Sequence, residues 1–190
     1  MGREQVFISY RRDDSAGYAR ALHDALARRF GAERVFIDVD DIGAGQAFAA
    51  VIAGAVGRSE LLLVLIGRRW LGERDGAPPR LHEPGDFVRR EVEAALARGL
   101  HVIPVLLDGA AMPAAAQLPG SLQPLAGRHA VELRGSHWAA DLERLLDAVA
   151  AIVEAGAPGP AAAAGAGAGS APAARRRALR AGAGLVLLGA

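Results

Sequence analysis

The 190-residue chain has no cysteine and no lysine. The first absence excludes disulfides, a thiolate nucleophile and Cys-ligated zinc, and it accords with a reducing compartment. The second excludes a P-loop, whose lysine reaches the phosphates of a bound nucleotide. All 22 basic residues are therefore Arg, a bias that accompanies abundant Ala and Gly and makes any single Arg weak evidence of chemistry. There is no G-x-S-x-G elbow, and His23, His82, His101, His129 and His137 lack metal-ligand spacing, so no metal site is expected. The polar residues 1–5 and the short apolar run 6–8 do not make a secretory leader, so the start reads as cytoplasmic.

Acidic residues are missing from two stretches. None follows Glu154, whereas Arg175, Arg176, Arg177 and Arg180 do. Residues 1–154 thus carry 18 Arg against 21 acids, a net charge of −3, and without a basic surface to neutralise phosphates nucleic acid is excluded as a partner. None lies between Asp41 and Glu60 either, an absence that bears on catalysis below.

What is present is a soluble globular composition, 52% apolar and 23% charged, in a length that suits one domain and a tail. Short β-branched or aliphatic runs at 6–10, 34–37, 61–66, 102–107 and 130–133 read as strands. The six aliphatic residues of 61–66 have the pattern of a central parallel strand. Pro104 places its strand near an edge or makes it irregular, because proline has no N–H for the ladder. Between the strands lie helical patterns. Ser15 is expected to cap a helix over 16–30 with the stripe Tyr18, Leu22, Leu26 and Phe30, ended by Gly31. A second helix runs to Val56 on Phe48, Val51 and Ile52. Asp86 is expected to cap a third, buried through Phe87, Val88, Val92, Ala95 and Leu96, and a closing helix spans 138–153 on Leu142, Leu145, Leu146, Val149 and Ile152. Such alternation predicts an α/β fold, a doubly wound parallel sheet with helices on both faces, over residues 1–154. Residues 155–174 contain only Ala, Gly, Pro and one Ser and read as a linker; 175–190 is a basic, then apolar tail.

Ligands of open parallel sheets sit at the carboxyl ends of strands. The first strand delivers Ser9, Tyr10, Arg11 and Arg12 there, and the second delivers Asp38, Asp40 and Asp41 with Gly43 and Gly45. This set either holds a charged, ring-bearing ligand or consists of solvated loop residues. Trp70, just past the third strand, either lines the same cleft or covers the sheet edge. The stretch Gly43-Ala44-Gly45-Gln46-Ala47-Phe48 opens a helix with small residues, which suits either a phosphate at its N-terminus or a tight turn.

Together these motifs resemble a bacterial Toll/interleukin-1 receptor (TIR) domain over about 1–150. Val6-Phe7-Ile8-Ser9-Tyr10-Arg11-Arg12 is similar to the family's first strand and loop, and Val35-Phe36-Ile37-Asp38 to its second strand. Asp40-Asp41-Ile42-Gly43-Ala44-Gly45 is similar to its BB loop, and 61–70, 87–99 and 102–109 to its third strand with trailing Trp, the next helix and the fourth strand. The resemblance implies a flavodoxin-like five-stranded sheet in the order 2-1-3-4-5. It also implies signal transduction with other TIR domains as partners, in a homo-oligomer or filament assembled through Asp40, Asp41, Ile42, Gly43, Ala44 and Gly45. In many members it implies hydrolysis of NAD. On that likeness Ser9, Tyr10, Arg11, Arg12, Asp38, Phe48 and Trp70 are nucleotide-binding candidates, with NAD as ligand or substrate rather than as a resident cofactor.

NAD-cleaving members use a Glu early in the second helix, where this chain reads Phe48-Ala49-Ala50-Val51-Ile52. An oxocarbenium-like transition state needs a positioned carboxylate, which alanine does not supply. No catalytic residue is assigned; Asp38, Asp40 and Asp41 are the acids nearest in sequence that would have to substitute. The expected function is therefore an assembly module, and the alternative is an NAD glycohydrolase with a displaced acid. A response-regulator receiver on the same sheet order is disfavoured, since that class depends on a lysine. Finally, Arg175, Arg176, Arg177 and Arg180 ahead of an apolar run resemble the cytoplasmic flank of a membrane anchor. That run has about half of the roughly 20 residues a span needs, so the expectation is attachment to anionic lipid or a longer natural chain.

Overall fold

A computed structural model describes residues 6–37, 54 and 56–156. The sheet is built from β1 (Val6–Ser9), β2 (Val35–Ile37), β3 (Leu61–Ile66), β4 (His101–Leu107) and β5 (Val131–Leu133). All pairings are parallel, in the order β2-β1-β3-β4-β5. The α-helices whose bounds lie among the described residues are α1 (Arg12–Phe30), α2 (Phe87–Ala97), the short α3 (Gln123–Ala126) and α4 (Trp138–Gly156). This is the flavodoxin-like order expected above, and strand order reverses between β1 and β3.

Two apolar layers sandwich the sheet because alternate side chains of β1 and β3 point to opposite faces. Val6, Ile8, Leu61, Leu63 and Leu65 meet Leu22 and Leu26 of α1 and Leu145 and Val149 of α4. Phe7, Leu62, Val64 and Ile66 meet Val88, Val92 and Ala95 of α2, with Val56, Trp70, Leu81, Leu122 and Leu125. Every residue of β3 is buried, as a strand covered on both faces must be.

Two local expectations are revised. First, α1 begins at Arg12, and Ser15 sits inside it with non-helical φ −141° and ψ 19°; its Oγ donates to the Arg11 carbonyl at 3.3 Å. The short first turn 12–14 is thus set apart from the main helix that the apolar stripe announces. Second, Phe87 is 47% exposed and Leu96 only partly buried. At about 100° per residue, Val88, Glu91, Val92 and Ala95 define the buried face of α2 and these two lie on its margins. The expectation for Pro104 is met: it pairs with Val64 of β3, and its strand stands next to the edge strand β5, whose ladder starts only at Val105. Asp86 caps α2 as expected, accepting from the Arg89 backbone N–H at 3.0 Å. Among the described residues no helix is long and apolar enough to cross a membrane; the tail 175–190 lies outside them.

Candidate functional site

The carboxyl end of β1 is held in place by buried polar contacts. Ser9, fully buried, donates through Oγ to Glu91 Oε2 of α2 at 2.5 Å. Arg11 is buried to 2% and turns inward: Nη1 and Nη2 donate to the two Asp86 carboxylate oxygens at 3.0 and 3.2 Å, and Nε donates to the Trp70 carbonyl at 2.7 Å. The planar guanidinium suits this fork geometry. One side chain therefore ties the end of β1 to the N-cap of α2 and to the turn after β3. A second clamp lies beside it, where the Asp14 carboxylate accepts the backbone N–H groups of Gly67 and Arg69 at 3.0 and 2.9 Å, while the Arg69 guanidinium donates to the Asp13 carbonyl.

Above these struts is a hollow of about 560 Å3 lined by Tyr10, Arg11, Arg12, Asp13, Arg80, Asp86, Phe87 and Val88. Its size falls within the range of small-molecule sites. Arg12 and Phe87 are exposed at its edge, and Tyr10 is 7% exposed. Both lining acids face guanidinium groups: Asp86 is paired with Arg11, and Arg80 lies 3.6 Å from Asp13 and 3.9 Å from Asp86. Among the described residues, no carboxylate stands in this hollow without a cationic partner.

The sequence candidates are thus distributed. Tyr10, Arg11 and Arg12 line the hollow; Ser9 lies beneath it; Trp70 does not line it. The Trp70 ring is 1% exposed, packs in the α2-side layer while Tyr10 packs in the α1-side layer, and walls a second hollow of about 310 Å3 with Arg68, Leu71, Ala110, Met112 and Pro113. Asp38, Asp40, Asp41, Ile42, Gly43, Ala44, Gly45 and Phe48 lie outside the described residues. Sequence reasoning missed Arg80, Asp86 and Glu91 as parts of this region. Arg80 carries no periodic signal in its proline-rich connection. Glu91 does, because an acid among Val88, Val92 and Ala95 occupies the buried stripe and must find a partner inside.

A third polar cluster lies just past the carboxyl ends of β4 and β5. The Tyr18 hydroxyl donates to Asp108, which also accepts the Gly135 N–H at 2.8 Å, and the Tyr18 ring lies 5.8 Å from Trp138. The shared hydrogen bond pushes the Tyr18 phenol up and holds the Asp108 carboxyl below its ordinary value. Nearby, buried Asp141 accepts from Arg134 Nε and Nη2 at 2.8 and 2.9 Å and from the Arg134 backbone at 3.1 Å, so its carboxyl is held well below the usual carboxylate range.

The fold has counterparts among solved structures. The TIR domains of the activated Roq1 resistosome, described as directly recognising the pathogen effector XopQ, are 16% identical, with a TM-score of 0.57 over 77% of this chain and 99% of that one. A metazoan TIR-STING receptor from C. gigas is 18% identical, with a TM-score of 0.50 over 78% of this chain and 42% of that one. At such identities these likenesses concern the fold alone. The family model for the TIR domain matches residues 6–146, which span every strand and the rim just described, and the chain accordingly belongs to the TIR domain family.

Proposed function

We propose that this chain is a TIR signalling module that works by assembling with other TIR domains and does not hydrolyse NAD. The observation that carries this reading is the absence of any acid between Asp41 and Glu60, the stretch onto which the family resemblance maps the Glu of NAD-cleaving members. The hollow beside β1 agrees with it, since Asp13 and Asp86 already serve guanidinium groups. A nucleotide without cleavage is compatible with the same hollow: Arg12 and Arg80 suit phosphates, and Tyr10 and Phe87 suit a ring.

Assembly is assigned to the loop Asp40, Asp41, Ile42, Gly43, Ala44 and Gly45, in which Ile42 is the one large apolar side chain among acids and small residues. Head-to-tail contacts of this kind need not close and so permit filaments. Sedimentation at high concentration tests the assignment. Ile42→Asp is expected to shift the chain to monomer, and unchanged sedimentation would remove the loop from the interface.

The competing reading is NAD cleavage by a displaced acid. It is favoured by the register, in which Ile37, the residue before Asp38, pairs with Ile8 of β1. The second loop therefore starts at the same sheet end as the hollow. Asp38, Asp40 and Asp41 are the acids that this reading requires.

A further inference from the structure

The turn that follows β3 has the form of an anion receptor, and the chain fills it with its own carboxylate. The Gly67 and Arg69 N–H groups converge on the two oxygens of Asp14 at 3.0 and 2.9 Å. A Cβ at Gly67 would overlap that carboxylate, so glycine here makes room for an oxyanion rather than for a side chain. The turn is closed by the Trp70 N–H on the Gly67 carbonyl at 3.3 Å, and it carries two exposed guanidinium groups, Arg68 and Arg69. It stands where strand order reverses between β1 and β3, the place at which doubly wound sheets receive ligands. Backbone N–H groups that converge from one turn, as those of Gly67 and Arg69 do, form concavities that bind anions, phosphate among them.

The group that fills the site is also the group best placed to leave it. Asp14 ends the first turn of α1, and the non-helical backbone at Ser15 separates that turn from the rest of the helix. Once Asp14 leaves, the contacts that still hold the turn include the Arg69 guanidinium on the Asp13 carbonyl and the Arg80–Asp13 ion pair, and neither ties its movement to the rest of α1. Arg12, exposed at the rim of the larger hollow, belongs to the same turn, so a release of Asp14 would move a wall of that hollow.

We propose that the Gly67-Arg68-Arg69 turn is an oxyanion site held shut by Asp14, and that a phosphate group displaces Asp14 and frees the first turn of α1. The competition is intramolecular, so the native chain binds more weakly than one lacking the carboxylate, by the effective concentration of a tethered group.

Trp70 provides the readout. In full-length Trp138→Phe it is the sole indole, and it is part of the turn. Inorganic phosphate is titrated at constant ionic strength, balanced with chloride, into this protein and into the same protein with Asp14→Ser, following Trp70 emission and Tm. The expected result is a saturable change in Asp14→Ser, with a rise in Tm, and the same change in the Asp14 form at about tenfold higher phosphate or more. Arg69→Ala in the Asp14→Ser background is expected to weaken the response severalfold. No phosphate response from folded Asp14→Ser overturns the site. Equal midpoints for the two forms overturn the plug, and no response of the Asp14 form at a hundredfold excess over the Asp14→Ser midpoint overturns the displacement. If Asp14→Ser does not fold, Asp14→Asn carries the test: its single acceptor oxygen for two donors predicts a midpoint below that of the Asp14 form, and an unchanged midpoint overturns the proposal.

Discussion

The residue that most changes meaning between sequence and structure is Arg11. By its place after the first strand it is a ligand-binding candidate, yet its guanidinium is spent on Asp86 and the Trp70 carbonyl. Its partner lies 75 residues away, and no spacing rule reaches that far, least of all in a chain whose basic residues are all Arg. The capping role of Asp86, by contrast, was legible from its place before an apolar-periodic run. Removing one member of a buried, bidentate pair leaves the other charge without compensation, which costs about 3–5 kcal/mol. Asp86→Ala is accordingly expected to lower stability by about that amount in urea unfolding, and a loss of under about 1 kcal/mol would show the pair to be dispensable.

Asp141 makes a second residue-scale prediction, through pH. Its hydrogen bonds from Arg134 depress the folded-state pKa. The stability it contributes is therefore complete above the unfolded carboxylate value of about 3.9 and is lost as pH falls toward the folded value. Asp141→Asn is expected to melt below the unmodified chain at pH 7, with the gap narrowing in melts below about pH 4. A gap that stays constant to pH 2.5 (about 1.4 units below the unfolded value) would place the origin of its effect elsewhere.

Elements were legible where apolar periodicity was long. The run 61–66, the stripe of α1 and the closing helix α4 all stand where the pattern puts them, because burial on one or both faces leaves a period that backbone geometry dictates. Margins were less legible. The first turn of α1 is fixed by Asp14 on the β3 exit, a long-range contact, and Phe87 sits on the edge of its helix face in the first turn, where the periodic rule has least to say. Leu63→Ala, in the centre of β3 and fully buried, is expected to cost about 2–5 kcal/mol. Phe87→Ala removes a larger side chain, but one that is 47% exposed, and is expected to cost less than half as much in the same denaturant titration. Equal costs would return Phe87 to the core.

For the whole molecule, the parallel sheet with helices on both faces follows from alternation of strands and helices, short connections and the handedness of parallel crossovers, which act on the chain as a pattern rather than through any one contact, while its order came from the family resemblance. The site does not follow in that way. It is assembled from the β1 exit, residues 67–86 and the start of α2, segments whose meeting depends on individual ion pairs and on a proline-rich connection with no period. What the sequence carried about function is an absence, the acid-free stretch between Asp41 and Glu60, on which, through the family resemblance, the proposal of an assembling domain rests.

That proposal can be tested directly through nicotinamide release from NAD by the purified full chain, at concentrations where sedimentation shows self-association. A chain with Asp38, Asp40 and Asp41 all replaced by Ala serves as the reference. The account predicts assembly with no nicotinamide above a protein-free blank from either chain. Steady release that Asp41→Ala abolishes would contradict it and make the chain a hydrolase whose acid has moved to the loop after β2.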